Sequence, residues 1–201
     1  MYKTKESIIL ASGSPRRREL LARLGIDFTI VASDIDEDGD LDSDPGLSVQ
    51  EWSRRKCMAV AERIGEKEHW YLGMDTIVVL EDRVMGKPAE EAQATEYLST
   101  LSGNWHTVYT GYCLYNPDKE VKVQRVVSSE VKIKQLSEEE IDAYVKTGEA
   151  SDKAGAYAIQ GIGAFMVEEI RGSYTNVVGL PLTELLEDFL RMKIIEVGGG
   201  L

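Results

Sequence analysis

The sequence predicts an α/β fold, and three of its features carry that prediction. Short apolar runs alternate with longer segments whose apolar residues recur at helical spacing, glycine and proline mark most of the junctions, and no internal repeat or low-complexity linker interrupts the series. A chain of 201 residues in this order fits a single domain over 1–201, or two lobes sharing a core. At 43% hydrophobic and 29% charged, with five prolines, it has the composition of a folded chain with a sizeable core.

Taken in order, Ile8-Ile9-Leu10 is a short apolar run that stops at Ala-Ser-Gly-Ser, which predicts a buried strand ending in a tight loop. Ser14 before Pro15 opens a helix, because proline wastes no N–H at a first helical position; Leu20, Leu21 and Leu24 give it an apolar face until Gly25. A strand over Phe28 to Ala32 follows. Ser48 and Glu51 have capping-box spacing and predict a second helix to about Gly65, with Trp52, Ala59 and Val60 inward and Arg54, Arg55 and Lys56 on the polar face. Trp70 to Leu80 is strand-like, with an interruption expected at Gly73-Met74-Asp75-Thr76. A helix over Glu90 to Leu101 ends at Gly103, and strands near 105–115 and 121–134 flank the turn Asn116-Pro117-Asp118-Lys119, a hairpin. Ser137 and Glu140 repeat the capping-box spacing before a helix closed by Gly148. Two strands separated by Gly161 and Gly163 then lead to a final helix opened by Pro181, with Leu182, Leu185, Leu186, Phe189 and Leu190 as its stripe. The tail from about residue 193 is expected to fray.

Charge narrows the function classes. A formal net charge of −12 repels a nucleic-acid backbone or an anionic membrane, so neither is an expected partner. The longest apolar runs are about ten residues, half of what spans a bilayer, and MYKTKES leads into a strand without a signal-peptide core. A cytoplasmic protein is expected. Cys57 and Cys113 lack CxxC spacing, so they are read as plain buried thiols and signal neither disulfide framework nor zinc site.

Five features bear on chemistry. Ser12-Gly13-Ser14-Pro15-Arg16-Arg17-Arg18 is a glycine-containing loop opening a helix, with free N–H groups, a favourable dipole and three arginines for phosphate oxygens; a solvated basic face is the plainer alternative. It matches neither a Walker loop nor a dinucleotide fingerprint. Asp34 to Gly39 begins like a calcium loop, but position 12 is Pro45 where a bidentate glutamate belongs, so an EF-hand is not the expected reading. The seven acids among residues 34–44 are a solvated loop that can lend one hard-metal ligand. Asp75, flanked by Leu72 and by Ile77 to Leu80, is a carboxylate in an apolar strand, and burying it is costly unless it is paired, metal-bound or functional. Lys87 before Pro88 and Lys153 before Ala-Gly join the Arg16 loop and Lys56 as basic points in an acidic protein, which fits a polyanion pocket of small-molecule size. His106 has no partner pattern and reads as structural.

These residues fall into ordered motifs that resemble the Maf proteins, nucleoside triphosphate pyrophosphatases related in fold to inosine triphosphate pyrophosphatase. The motifs are SGSPRRRELLARLG at 12–25, DIDE at 34–37, RKCMAVA at 55–61, GMDTIV at 73–78, GKP at 86–88, LSGNWHTVYTG at 101–111 and DKAGAYAIQGIGAFMVEEIRGSYTNVVGLPL at 152–182. The resemblance implies a curved mixed sheet between helical lobes with a central cleft. It implies hydrolysis between the α and β phosphates of a nucleotide, with a divalent cation, Mg²⁺ or else Mn²⁺, as cofactor. Asp75 matches the family's proton acceptor, Glu37 its acidic metal-site position, and Lys56, Lys87 and Lys153 its phosphate-contacting lysines; the loop residues Ser12, Ser14, Arg16 and Arg17 are expected to join them on phosphate, and Asp75 to join Glu37 on the metal. Arg16, Thr76 and Gln160 match the specificity positions of the branch acting on dTTP and UTP, in which a house-cleaning role on modified pyrimidine nucleotides would look the same.

Departures from the family pattern are Met74 for an alanine beside Asp75, Ala150 for a proline, and Trp105 at a usually polar position. Members often form dimers, so a homodimer is the expected assembly, although no surface stripe marks one. Two alternatives stand beside this reading: a non-catalytic nucleotide- or metal-binding regulator of cell division, and a 7-methyl-GTP pyrophosphatase of the sister branch.

Overall fold

The computed structural model describes residues 1–35 and 44–198. The chain opens with β1 (Tyr2–Thr4), β2 (Ile8–Ala11), α1 (Pro15–Arg23), β3 (Thr29–Ile30) and the long α2 (Pro45–Ile64). It continues through β4 (Trp70–Leu80), β5 (Arg83–Met85), α3 (Glu91–Leu101), β6 (Trp105–Asn116), β7 (Val121–Ile133) and α4 (Glu138–Val145). Three 3₁₀ turns at Glu149–Asp152, Ala154–Ala156 and Gly161–Met166 lead into β8 (Val167–Arg171), α5 (Tyr174–Val178), α6 (Leu182–Arg191) and β9 (Ile195–Val197).

Among the described residues, one sheet has the order β3-β2-β4-β6-β7-β8, with β5 added along β4. β2 is parallel to β3 and β4, while β5 and β8 pair antiparallel with β4 and β7, so the α/β class and mixed sheet predicted by the sequence are observed. The chain divides into two compact units, Met1–Asp75 with Thr110–Val126 and Gly179–Leu201, and Thr76–Tyr109 with Val127–Val178. Strands β4, β6 and β7 each contribute residues to both.

The first unit buries Ile8, Leu10, Leu72, Tyr112, Leu185 and Phe189 in one cluster and Ile9, Cys57, Val60 and Tyr71 in another. Two glycines set the distance of α2 from its strands. A Cβ on Gly73 of β4 would lie 2.3 Å from the Ser53 carbonyl oxygen, and one on Gly111 of β6 would lie 2.5 Å from that of Val49, so only a hydrogen at these positions admits the helix backbone. The second unit packs Val78, Met85, Leu98, Val108, Val131, Ile141 and Tyr144 around Tyr157.

Several boundaries correct the sequence reading. The second helix begins at Pro45, not Ser48, because the Asp44 carboxylate accepts from Gly46 and Leu47 N–H at 2.7 and 3.2 Å while Pro45 fills the first position. Residues 73–76 do not interrupt β4, which runs unbroken from Trp70 to Leu80. No strand forms at Ala156 to Ile159, since Gly155 and Ala156 take left-handed φ of +68° and +59°, which bend the chain out of extended geometry. The strand expected over Phe28 to Ala32 is only Thr29–Ile30, and the tail expected to fray from about 193 pairs instead, Ile195–Val197 against Tyr2–Thr4. The Ser137 capping box forms as expected, with Ser137 N–H and Glu140 Oε2 at 3.0 Å.

Candidate active site

In the first unit, chemistry gathers at the end of β2 and the middle of β4. The seating of α2 on Gly73 brings Lys56, which is buried rather than on the polar face, to Asp75: Lys56 Nζ donates to Asp75 Oδ1 at 2.6 Å, with the residues 8% and 7% exposed. A buried carboxylate in an apolar strand is thereby paired, which offsets the cost of burying it. Asp75 Oδ2 has no hydrogen-bond partner among the described residues.

The arginine loop lies alongside. Arg17 Nη1 donates to Ser12 Oγ at 2.9 Å and to the Met74 carbonyl at 3.2 Å, and its Nε donates to the Gly179 carbonyl at 2.8 Å. One guanidinium therefore ties the loop after β2, the residue before Asp75 and the turn before α6. Ser12 is buried, and the Ser14 N–H also reaches Ser12 Oγ at 3.4 Å. Ser14 occupies the N-cap of α1 without a side-chain cap bond, leaving its hydroxyl uncommitted to the helix. Arg16 is half-buried in the first turn of α1.

The second unit carries Thr76, Lys87, Lys153 and Gln160. Thr76 is half-buried and follows Asp75 directly in β4. The Gly155 N–H donates to the Gly86 carbonyl at 3.1 Å, which ties the loop of Lys153 to that of Lys87. Lys87 is exposed and has no hydrogen-bond or ion-pair partner among the described residues, whereas Lys153 donates to the Glu149 carbonyl at 3.1 Å and pairs with Asp152. Gln160 is half-buried in extended conformation, φ −114° and ψ 166°, and its amide has no hydrogen-bond partner among the described residues. The turn after it is held by a carboxylate that sequence reading did not single out. Glu149 Oε1 accepts from Ile162 N–H at 3.1 Å and Oε2 from Gly163 N–H at 2.8 Å. Burial works to raise the Glu149 carboxyl, but the Gly163 N–H bond and the weaker contacts behind it bring it below the usual range. Behind the turn, buried His106 Nε2 meets the Tyr157 hydroxyl at 2.7 Å; burial lowers His106 to about 4 and raises Tyr157.

Ser12, Arg17, Lys56 and Asp75 are thus joined in the first unit, and Lys87, Lys153 and Gln160 belong to connected turns of the second. Glu37 lies outside the described residues. The missed contributors are Gly73, Gly111 and Glu149; the first two had no signal beyond an isolated glycine in a strand, and Glu149 acts across 13 residues with no periodic pattern. Cys57 and Cys113 are free and buried, as expected. Among the described residues, Glu66, Glu68 and His69 bring ligand atoms within 4.8 Å of one another, apart from every residue singled out in the sequence. Asp75 Oδ2 is the hard, anionic oxygen that Mg²⁺ takes, so Asp75 fits as a metal ligand. Among the described residues, no helix is long and apolar enough to cross a membrane.

Comparison with known proteins agrees with the motif reading. The family model described as Maf-like protein matches residues 7–192. The chain is 49% identical over 188 residues to the dTTP/UTP pyrophosphatase of Geobacter sulfurreducens, covering 94% of this chain and 97% of that protein. It is 47% identical over 196 residues to the dTTP/UTP pyrophosphatase of Geotalea uraniireducens, covering 98% and 100%. Among solved structures it is similar to the Staphylococcus aureus Ham1 protein, at 14% identity and a TM-score of 0.49, covering 94% of this chain and 100% of that one.

Proposed function

This chain belongs to the Maf family, and on that premise we propose that it is a nucleoside triphosphate pyrophosphatase of the cytoplasm that hydrolyses dTTP and UTP to the monophosphate and pyrophosphate. The observation that carries the reading is the buried Lys56–Asp75 pair beside the Ser12 loop: a carboxylate held by an ammonium next to a helix start whose N–H groups suit an anion.

The reaction adds water at the α-phosphorus and expels pyrophosphate, so a base must take one proton from water while cations neutralise the phosphate oxygens. In this reading Asp75 takes the proton, and Lys56 fixes the orientation of its carboxylate. Ser12, Ser14, Arg16, Lys56, Lys87 and Lys153 are the proposed phosphate contacts; the exposed ammonium of Lys87, without a partner among the described residues, supports its assignment most directly. Arg17 supports the same loop by gripping Ser12. Asp75, with Glu37 from the family pattern, is proposed to hold the divalent cation. That cation would supply charge neutralisation at the phosphates and lower the pKa of bound water. Gln160, with its unpartnered amide, and Thr76 are proposed to read the base, since a paired donor and acceptor matches the imide edge of uracil or thymine and mispairs with cytosine. The 201 residues act as one catalytic domain in this reading, with a homodimer as the proposed assembly.

Pyrophosphate release measured across UTP, dTTP, CTP, GTP and 7-methyl-GTP tests the proposal. UTP and dTTP should exceed CTP by one to two decades in kcat/KM, as leaving a buried polar group unsatisfied costs about 1–3 kcal/mol. Preference for a purine would overturn the pyrimidine assignment, and no release from any of the five would overturn the enzyme.

A further inference from the structure

The turn that follows Gln160 contains two glycines in three positions, Gly161 and Gly163, and such a segment has wide conformational freedom unless it is held. The structure shows what holds it. Both oxygens of Glu149 are spent on consecutive backbone donors of the turn, Ile162 N–H at 3.1 Å and Gly163 N–H at 2.8 Å. The fit extends to Gly161, the residue next to Gln160: its φ is +70°, and a Cβ there would lie 2.2 Å from Glu149 Oε1. Gly163 is equally enclosed, since a Cβ on it would meet the Ala158 carbonyl oxygen at 2.6 Å and the Tyr144 hydroxyl at 2.8 Å. The carboxylate is itself anchored at its backbone, where Glu149 N–H donates to Thr147 Oγ1 at 3.2 Å and Lys153 Nζ donates to its carbonyl at 3.1 Å.

We propose that Glu149 is a specificity-positioning residue, which fixes the turn after Gln160 and so aims the Gln160 amide at the edge of the base. Glu149 does not touch substrate in this proposal. Its effect passes through the backbone of residues 161–163, and it rests on the reading of Gln160 as the base-recognising residue. Hydrogen-bond recognition of a base edge is directional, so an amide released from its aim still contacts the base but loses selection among bases. The Lys56–Asp75 pair belongs to other elements, so the hydrolytic step on a base that is already accepted is largely spared.

The test compares kcat/KM for UTP and CTP in the wild type, Glu149→Gln, Gln160→Ala and the double variant, with melting temperature recorded for each. Glu149→Gln keeps the volume but sets an NH₂ group against one of the two N–H donors. The UTP:CTP ratio is expected to fall about tenfold in Glu149→Gln, through KM for UTP more than through kcat. In the Gln160→Ala background the same substitution should change the ratio less than twofold, because the residue it acts through is gone. Glu149→Asp retains the charge with a shorter reach and should lower the ratio at least threefold; it decides the matter if the Gln variant does not fold. A folded variant that keeps the wild-type ratio, or equal effects in the two backgrounds, would overturn the positioning role while leaving the pyrimidine reading intact. A wild type that does not discriminate UTP from CTP would overturn both.

Discussion

Asp75 is fixed by a side-chain ammonium that a 20-residue helix carries to it, whereas Gln160 is fixed through backbone N–H groups gripped by a carboxylate from a neighbouring turn. The first arrangement joins opposite charges on regular elements, with steric tolerance set by glycines that admit no side chain. The second leaves the Gln160 amide without a hydrogen-bond partner among the described residues and holds the backbone that follows it. On the proposed function, rate and selectivity are carried by separate machinery: damage near Asp75 should lower turnover on every substrate, and damage near Gln160 should reorder substrates.

The largest effect expected from testing that contrast is on Asp75 itself. Asp75→Asn removes the proposed proton acceptor and replaces the charged partner of Lys56 Nζ at 2.6 Å by a neutral amide, so turnover on UTP should fall at least a hundredfold and the melting temperature should drop as well. Nucleotide binding, followed by titration calorimetry, should persist. A folded variant retaining most of its turnover would remove Asp75 from the chemistry and dissolve the contrast.

Gly73→Ala probes the same pair without touching either member. Its Cβ would meet the Ser53 carbonyl at 2.3 Å and Cys57 N at 2.5 Å, both backbone atoms of α2, so the helix must move away from β4 and take Lys56 with it. Overpacking of this kind costs about 1–3 kcal/mol, and turnover should fall about tenfold or more with an unchanged UTP:CTP ratio. A crystal structure of the variant with the Lys56–Asp75 distance unchanged, together with lost turnover, would contradict the seating argument.

How far these features could be read beforehand follows from the range over which each is encoded. The Ser137 capping box and the α6 stripe are local patterns and form as predicted. Asp75 was identifiable because an acid among Leu72, Ile77, Val78 and Val79 is anomalous wherever the chain folds. Its partner was missed because a lysine is read as solvent-facing by residue type, although Lys56 stands four residues after Trp52 and four before Val60, on the face of α2 that the structure buries. The start of α2 was misjudged for a related reason: Ser48–Glu51 imitates a cap, but Asp44 and Pro45 upstream form the stronger one. Glu149 was illegible, because nothing local reveals an acid whose partners are backbone N–H groups 13 and 14 residues away.

Arg17 tests whether the loop of the first region is held as firmly as the pair. Its contacts with Ser12, Met74 and Gly179 use both Nε and Nη1 of the guanidinium, which a single ammonium cannot reproduce. Arg17→Lys should lose one or two bonds at about 0.5–1.5 kcal/mol each, a decrease of roughly tenfold in kcat/KM that is the same for UTP and CTP. A change confined to one nucleotide would instead place Arg17 with the recognising region.

The smallest effect concerns what lies behind the second region, where His106 is buried against Tyr157, three residues before Gln160. Burial lowers the folded-state value of His106 from 6.5 to about 4, so between these limits the unfolded chain binds a proton that the folded protein refuses. The sign is fixed by that difference: the contribution is fully present above pH 6.5 and is lost as pH falls toward 4. At pH 5.5 the loss amounts to about 1.4 kcal/mol, or roughly 3–5 °C of melting temperature in a chain of this size. His106→Gln keeps a hydrogen-bonding group opposite the Tyr157 hydroxyl but binds no proton. Melting curves of the two proteins from pH 8 to pH 5.5 should therefore converge by that amount, with the wild type losing more. Parallel curves would mean that His106 titrates alike in the folded and unfolded chain, and that the packing behind the recognising turn opens to water far more readily than its burial implies.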